Sequence, residues 1–166
     1  MRTILFVCTG NTCRSSMAEA LFKDIVKKDG DNFKNLNIIS AGTGAWDGYN
    51  ASPQAVEVLR EKGIDMSGHR STSLTPELID ESDLILTMTY NHKATVLHMC
   101  PEAKGKVFTL KEYATGNEIE ESHKDNIDYN GNKYNIKDPF GQSVDVYRKS
   151  AKEIEDNLKI LIKKIK

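Results

Sequence analysis

No apolar run in this chain of 166 residues approaches the ~18 residues that a membrane-spanning helix needs. Neither sign of charge is in excess: 23 Lys and Arg stand against 24 Asp and Glu, for a net charge of −1. A global basic field that would draw in nucleic acid or a membrane surface is thereby excluded, and any preference for an anion must come from one local site. Cysteine is scarce and odd in number, three in all, which excludes a disulfide-stapled scaffold and fits a reducing cytoplasm. The sequence has no Gly-x-x-x-x-Gly-Lys-Ser/Thr, no His-Glu-x-x-His and no paired Cys-x-x-Cys. That removes P-loop nucleotide hydrolysis and the common zinc sites. Repeats, low-complexity blocks and an interdomain linker are also lacking. The length suits one domain over residues 1–166, large enough to bury a core without staples. Met1-Arg2-Thr3 leads straight into a strand ending at the candidate nucleophile, so a removable signal peptide is not expected.

What is present is organised around Cys8-Thr9-Gly10-Asn11-Thr12-Cys13-Arg14-Ser15. Thr3-Ile4-Leu5-Phe6-Val7 before it is a continuous apolar run, the pattern of a strand buried on both faces. Ser16-Met17-Ala18-Glu19-Ala20-Leu21-Phe22 after it opens a helix. Cys8 and Arg14 therefore share one tight strand-to-helix turn. Gly10 is expected to let the turn close, and Asn11 to tolerate unusual dihedrals. A helix start offers unpaired N–H groups and the positive end of a dipole, hence an anion site. Arg14 adds a planar fork of donors for two phosphate oxygens. A helix start and a nearby cation favour thiolate over thiol, and a thiolate in a phosphate cradle is a nucleophile aimed at phosphorus. The ordinary alternative is a core cysteine and a surface arginine; the strand, Gly-Asn loop and helix in succession argue against it.

Val7-Cys8-Thr9-Gly10-Asn11-Thr12-Cys13-Arg14-Ser15 resembles the phosphate loop of the low-molecular-weight protein tyrosine phosphatases. Ser40-Ala41-Gly42-Thr43 and Lys137-Asp138-Pro139-Phe140 resemble two further segments of that family, in the expected order. Residues 117–135 have no match, and Thr12 resembles the protein arginine phosphatase branch, where tyrosine phosphatases usually carry an aliphatic residue. The resemblance implies a three-layer α/β/α fold with a four-stranded parallel sheet. It implies a protein phosphatase working through a cysteinyl-phosphate, with phosphorylated proteins as substrates and inorganic phosphate as product. Cys8 would be the nucleophile, Arg14 the phosphate clamp and Asp138 the proton donor, with no metal and no other cofactor. Thr9, Gly10, Asn11, Thr12, Cys13 and Arg14 would bind phosphate, while Asn11, Ser15, Ser40 and His69 would support the loop. Thr12, Trp46 and Phe140 would line the substrate pocket.

From the residues alone several of these stay open. Asp138-Pro139 is either a proton donor whose direction proline fixes or an ordinary turn. Trp46 is a core lid or a pocket wall, and Tyr49 a surface ring or part of the same wall. His69 supports the loop or faces solvent. Thr12 meets a guanidinium N–H, favouring phosphoarginine over phosphotyrosine, or only bonds within its own loop. Cys13 fills the loop base or pairs with an oxidised Cys8. An arsenate reductase would want a second downstream cysteine pair, where only Cys100 occurs. A phosphocysteine carrier needs neither Arg14 nor Asp138, and a phosphoprotein-binding module neither Cys8 nor Asp138.

Strands are also expected at 36–40, 83–88 and 106–110, alternating with helices, which gives right-handed crossovers and a parallel sheet. The first helix should span 15–28, with Ser16 and Glu19 as a capping box, Ser15 left in the loop, and Met17, Leu21 and Ile25 facing the sheet. Ser52-Pro53 and Thr75-Pro76 start two more helices, the first with Ala55, Val56 and Leu59 as its apolar stripe. Residues 90–98 form another, with His92 and His98 on its exposed side. Residues 114–137 read as a polar mobile loop or hairpin with a turn at 128–132. The last helix runs over 145–165, with Tyr147, Ala151, Ile154, Leu158, Leu161 and Ile165 on its buried side.

Overall fold

The structure, a computed structural model, describes residues 2–116 and 133–166. The expected turn at 128–132 and most of the unmatched segment 117–135 lie outside the described residues. Four strands, β1 (Arg2–Cys8), β2 (Leu36–Gly42), β3 (Leu84–Thr87) and β4 (Val107–Thr109), form one sheet in the order β2-β1-β3-β4. Every pairing is parallel, with Phe6 opposite Ser40 on one side and Leu86 on the other. The helices are α1 (Arg14–Asp29), α2 (Pro53–Glu61), α3 (Pro76–Glu81), α4 (Tyr90–Met99), α5 (Leu110–Thr115) and α6 (Val144–Ile165).

Strand alternation divides the interior into two cores. Ile4, Phe6, Ile38, Leu84 and Leu86 join Met17 and Leu21 of α1 and Tyr147, Ile154, Leu158 and Leu161 of α6 on one face. Leu5, Val7, Ile85 and Val107 meet Ile79 of α3 and Val96 of α4 on the other. Helices thus cover both faces, the three-layer arrangement that strands apolar throughout require. Each fully buried Leu, Ile or Phe contributes about 1.5–3 kcal/mol relative to exposure. No helix among the described residues is long and apolar enough to cross a membrane.

Several boundaries differ from the sequence expectation, each for a physical reason. The first helix begins at Arg14, so Ser15 is helical. The Ser16–Glu19 capping box does not form: the Ser16 hydroxyl donates to the Cys13 carbonyl at 2.9 Å, while Glu19 accepts from the Ser40 hydroxyl. In α2, Val58 is buried with Ala55 and Leu59, and Val56 is only partly covered. The fourth strand ends at Thr109, because the Thr109 and Glu112 side chains close a capping box that starts α5. Ile136 lies in the expected polar loop, yet it is wholly buried, and its N–H donates to the Met88 carbonyl at 2.8 Å.

The connection after β1 leads to β2 on one side, and the connection after β2 passes back across β1 to β3 on the other. The carboxyl end of β1 is therefore the switch point where open parallel sheets hold their ligands. At that end β2 and the loop after β1 come very close. A Cβ built on Gly42 would stand 2.3 Å from the Thr9 carbonyl oxygen and 3.0 Å from the Asn11 nitrogen. Gly42→Ala is expected to lower unfolding stability by about 1–3 kcal/mol in urea titrations. Gly68→Ala, at a position with nothing within 4 Å of a built Cβ, is expected to stay within about 0.5 kcal/mol.

Candidate active site

The turn after β1 folds back on its own sulfur. Asn11 takes φ 56°, and no other non-glycine residue among those described has a positive φ. Asparagine tolerates this left-handed conformation better than most residues. Its main-chain N–H then points at Cys8 Sγ, 3.3 Å away. The Asn11 amide nitrogen donates to the Ser15 hydroxyl at 2.8 Å and the Ser40 hydroxyl at 2.9 Å. Its side-chain oxygen accepts from the Thr72 N–H at 2.9 Å. His69 Nε2 lies 2.7 Å from the Asn11 carbonyl; a carbonyl can only accept, so that nitrogen carries the proton. Ser15 Oγ is 2.8 Å from Cys8 Sγ. The Ser15 proton has two acceptors within reach, the sulfur and, at 3.4 Å, the Ala41 carbonyl, and the sulfur is the nearer. Ser15, Ser40 and His69 all contact Asn11 of the loop. Gly10 has no left-handed backbone; the unusual dihedrals are at Asn11, where they are expected, and the close approach falls on Gly42.

No side chain caps α1, so none competes for the N–H groups of its first turn. Arg14 sits in that turn, buried to 4% exposure. Its Nη1 donates to the Ile136 carbonyl at 2.9 Å, and its Nη2 lies 3.4 Å from Asp138 Oδ2. Nε is buried with no partner. Asp138 keeps 52% of its side chain exposed, and its other carboxylate oxygen accepts from the Phe140 N–H at 3.1 Å. Cys8, Thr9, Gly10, Thr12, Cys13, Arg14, Asp138 and Phe140 line one cavity of about 200 Å³. Two larger grooves, of about 570 and 400 Å³, contain no cysteine.

Phe140 is 71% exposed at the rim. Trp46, at 78% exposure, is no core lid and does not line this cavity; its carbonyl accepts from the Ser71 hydroxyl. Tyr49 is a surface ring as expected. Cys13 packs at the loop base, 3.2 Å from the buried Tyr147 hydroxyl, and burial pushes that phenol up to about 12. All three cysteines are free thiols.

His92 corrects the sequence reading. It was expected on the exposed side of α4, but it is buried at 6% exposure, while His98 is exposed. Its Nε2 is 2.8 Å from Thr9 Oγ1, and its Nδ1 is 3.0 Å from Thr89 Oγ1. The spacing to buried Val96, one turn further along α4, was the available signal.

The family model described as low molecular weight phosphotyrosine protein phosphatase matches residues 3–166. The chain belongs to that family. This makes it a hydrolase of the protein-phosphatase class. A low molecular weight phosphatase relative from Bacillus subtilis (strain 168), a protein-arginine-phosphatase, is 45% identical over 98% of this chain and 96% of its own length. The protein-arginine-phosphatase of Geobacillus stearothermophilus is 40% identical over 98% of this chain and 95% of its own. A solved structure of the arginine phosphatase YwlE, a serine-for-cysteine mutant with a phosphorylated active-site serine, superposes with a TM-score of 0.83. It is 42% identical and covers 98% of this chain and 95% of that one.

Within this phosphatase fold, His92 should leave a mark on acid stability. Burial chiefly, with the Arg14 charge adding and the Asp138 charge opposing, pushes its imidazole from 6.5 down to about 4. Between these values the unfolded chain binds a proton that the folded chain refuses. Stability therefore falls as pH drops from 6.5 towards 4, by up to about 3 kcal/mol in all. Urea unfolding at about pH 7 and about pH 5 should show a shallower loss in His92→Gln than in the parent.

Proposed function

We propose that this chain is a protein arginine phosphatase that removes phosphate from phosphoarginine through a cysteinyl-phosphate. The observation that carries the reading is one cavity of about 200 Å³ lined by Cys8, Arg14 and Asp138 together. The relatives named as arginine phosphatases support the substrate.

The Cys8 sulfur, within reach of the Asn11 N–H and the Ser15 hydroxyl, attacks phosphorus as its thiolate. An S–P bond forms as the P–N bond to the guanidine breaks, and Asp138 gives its proton to the departing nitrogen. Arg14 and the loop N–H groups hold the equatorial oxygens, where the transition state spreads its charge. Asp138, now a carboxylate, takes a proton from water as that water attacks phosphorus. The S–P bond breaks, the thiolate returns and inorganic phosphate leaves. Thiolate chemistry of this kind fits a cytoplasmic protein, where free cysteines persist.

Thr12 supports phosphoarginine. It is half-buried on the cavity wall, and its hydroxyl can accept from a guanidinium N–H, where an aliphatic side chain would instead pack on a phenyl ring. Its nearest polar neighbour within the loop, Cys13 Sγ, is 3.7 Å away, a weak competitor. A second reading, phosphotyrosine, draws support from the exposed Phe140 ring at the rim.

Cys8→Ser is expected to abolish release of p-nitrophenol from p-nitrophenyl phosphate, a loss of at least about a thousandfold. Full retention of activity would remove the mechanism. The parent is expected to hydrolyse a phosphoarginine peptide in preference to its phosphotyrosine counterpart. Thr12→Ile should shift that ratio towards phosphotyrosine by about tenfold or more, a change of ~1.4 kcal/mol in relative transition-state binding. An unchanged ratio would withdraw Thr12 as the selector.

A further inference from the structure

His92 is a buried titratable group that the two-step mechanism does not use. It stands in the first turn of α4, across from the loop residue that follows Cys8. Thr9 is held from two sides. Its carbonyl accepts from the Gly44 N–H at 3.0 Å, and its hydroxyl oxygen is 2.8 Å from His92 Nε2. The other ring nitrogen, Nδ1, is 3.0 Å from Thr89 Oγ1, and that oxygen already accepts the His92 main-chain N–H at 3.2 Å as the cap of α4.

Both ring contacts can be satisfied by either neutral tautomer, and the proton count at Thr89 favours one of them. Thr89 has one hydroxyl proton, and the ring nitrogen Nδ1 is the acceptor within reach of it. Were Nδ1 itself protonated, His92 would fill both lone pairs of Thr89 Oγ1, and the Thr89 proton would gain no acceptor from the ring. With Thr89 donating to Nδ1, the neutral ring carries its proton on Nε2 and donates to Thr9 Oγ1. The Thr9 hydroxyl proton is then turned away from the ring. Thr9 lines the cavity beside Cys8.

We propose that His92 is a positioning residue for the phosphate loop: its Nε2–H holds the Thr9 oxygen, so that the Thr9 hydroxyl donates to an oxygen of the phosphoryl group over Cys8. The relay Thr89 to His92 to Thr9 runs from the end of β3 to the residue after the nucleophile. A protonated ring could not accept from Thr89, and burial beside Arg14 keeps the ring neutral. The Thr9 hydroxyl then adds a fixed donor that no main-chain N–H supplies.

This inference rests on the phosphatase reading, and its test separates the two. Long-range proton–nitrogen NMR of the histidine rings, assigned by the signal lost in His92→Gln, is expected to give an Nε2-protonated neutral ring from about pH 5 to pH 8. An Nδ1-protonated ring would overturn the proposal. That readout needs no turnover, so it stands even if Cys8→Ser were to keep full activity. In kinetics on a phosphoarginine peptide, Thr9→Val and His92→Leu are each expected to lower kcat about tenfold with KM little changed. The double variant should fall no further than the lower single one, because both remove the same donor. His92→Gln, whose amide N–H can stand near Nε2, should regain most of the loss. Losses that multiply towards a hundredfold, or a Thr9→Val enzyme with unchanged kcat, would overturn the proposal. Should His92→Leu fail to fold, the ring tautomer and Thr9→Val decide it alone.

Discussion

The left-handed backbone of Asn11 is the constraint on which the site depends. A non-glycine residue held there costs of order 1 kcal/mol, and it persists only where its surroundings determine it. Here every polar group of Asn11 has a partner, from Cys8 Sγ through Ser15, Ser40 and Thr72 to His69. Each such bond contributes about 0.5–1.5 kcal/mol, so together they offset the strain several times over. The return is directional. The reversed dihedral turns the Asn11 N–H inward to the sulfur, which the Ser15 hydroxyl approaches as well. The Asn11 N–H and the Ser15 hydroxyl thus converge on one buried sulfur.

That network can exist only where the sheet delivers its parts. Ser40 and Gly42 come from β2, His69 and Thr72 from the connection after α2, and Ile136 from the segment whose main chain bonds to Met88. All converge on the carboxyl end of β1 because β1 is central and its neighbours run parallel to it. Gly42 is the tightest of these contacts, since any side chain there would meet the Thr9 carbonyl. The cores on the two sheet faces therefore act on the chemistry indirectly, by holding the strand ends in register.

Much of this was legible in the residue order. Continuous apolar runs identified the buried strands, and Ser-Pro and Thr-Pro pairs identified helix starts that the Ser52 and Thr75 side chains do cap. The loop itself was legible because a cysteine, an asparagine, an arginine and a helix start are local to one another. What failed was non-local. Glu19 looked like a cap partner for Ser16, but Ser40, from another strand, claims it. His92 looked exposed because imidazole is polar, yet its burial depends on Thr9, distant in sequence. α5 was hidden because Thr109 and Glu112 look like strand and loop until their side chains bond reciprocally.

Arg14 explains how a chain of nearly balanced charge can select an anion. A guanidinium at 4% exposure would be costly to bury alone, by several kcal/mol. One carbonyl, from Ile136, and one carboxylate, from Asp138, share the task of holding it. The carbonyl bond is short and buried, so it sets position. The carboxylate contact is longer and half open to solvent, so it compensates charge while leaving Asp138 reachable from the cavity. A tighter, fully buried pair would neutralise the cation and hide the acid. A wholly exposed one would leave the cation unsupported. The observed asymmetry keeps positive potential directed into a small cleft, where local donors outweigh the near-zero net charge of the whole chain.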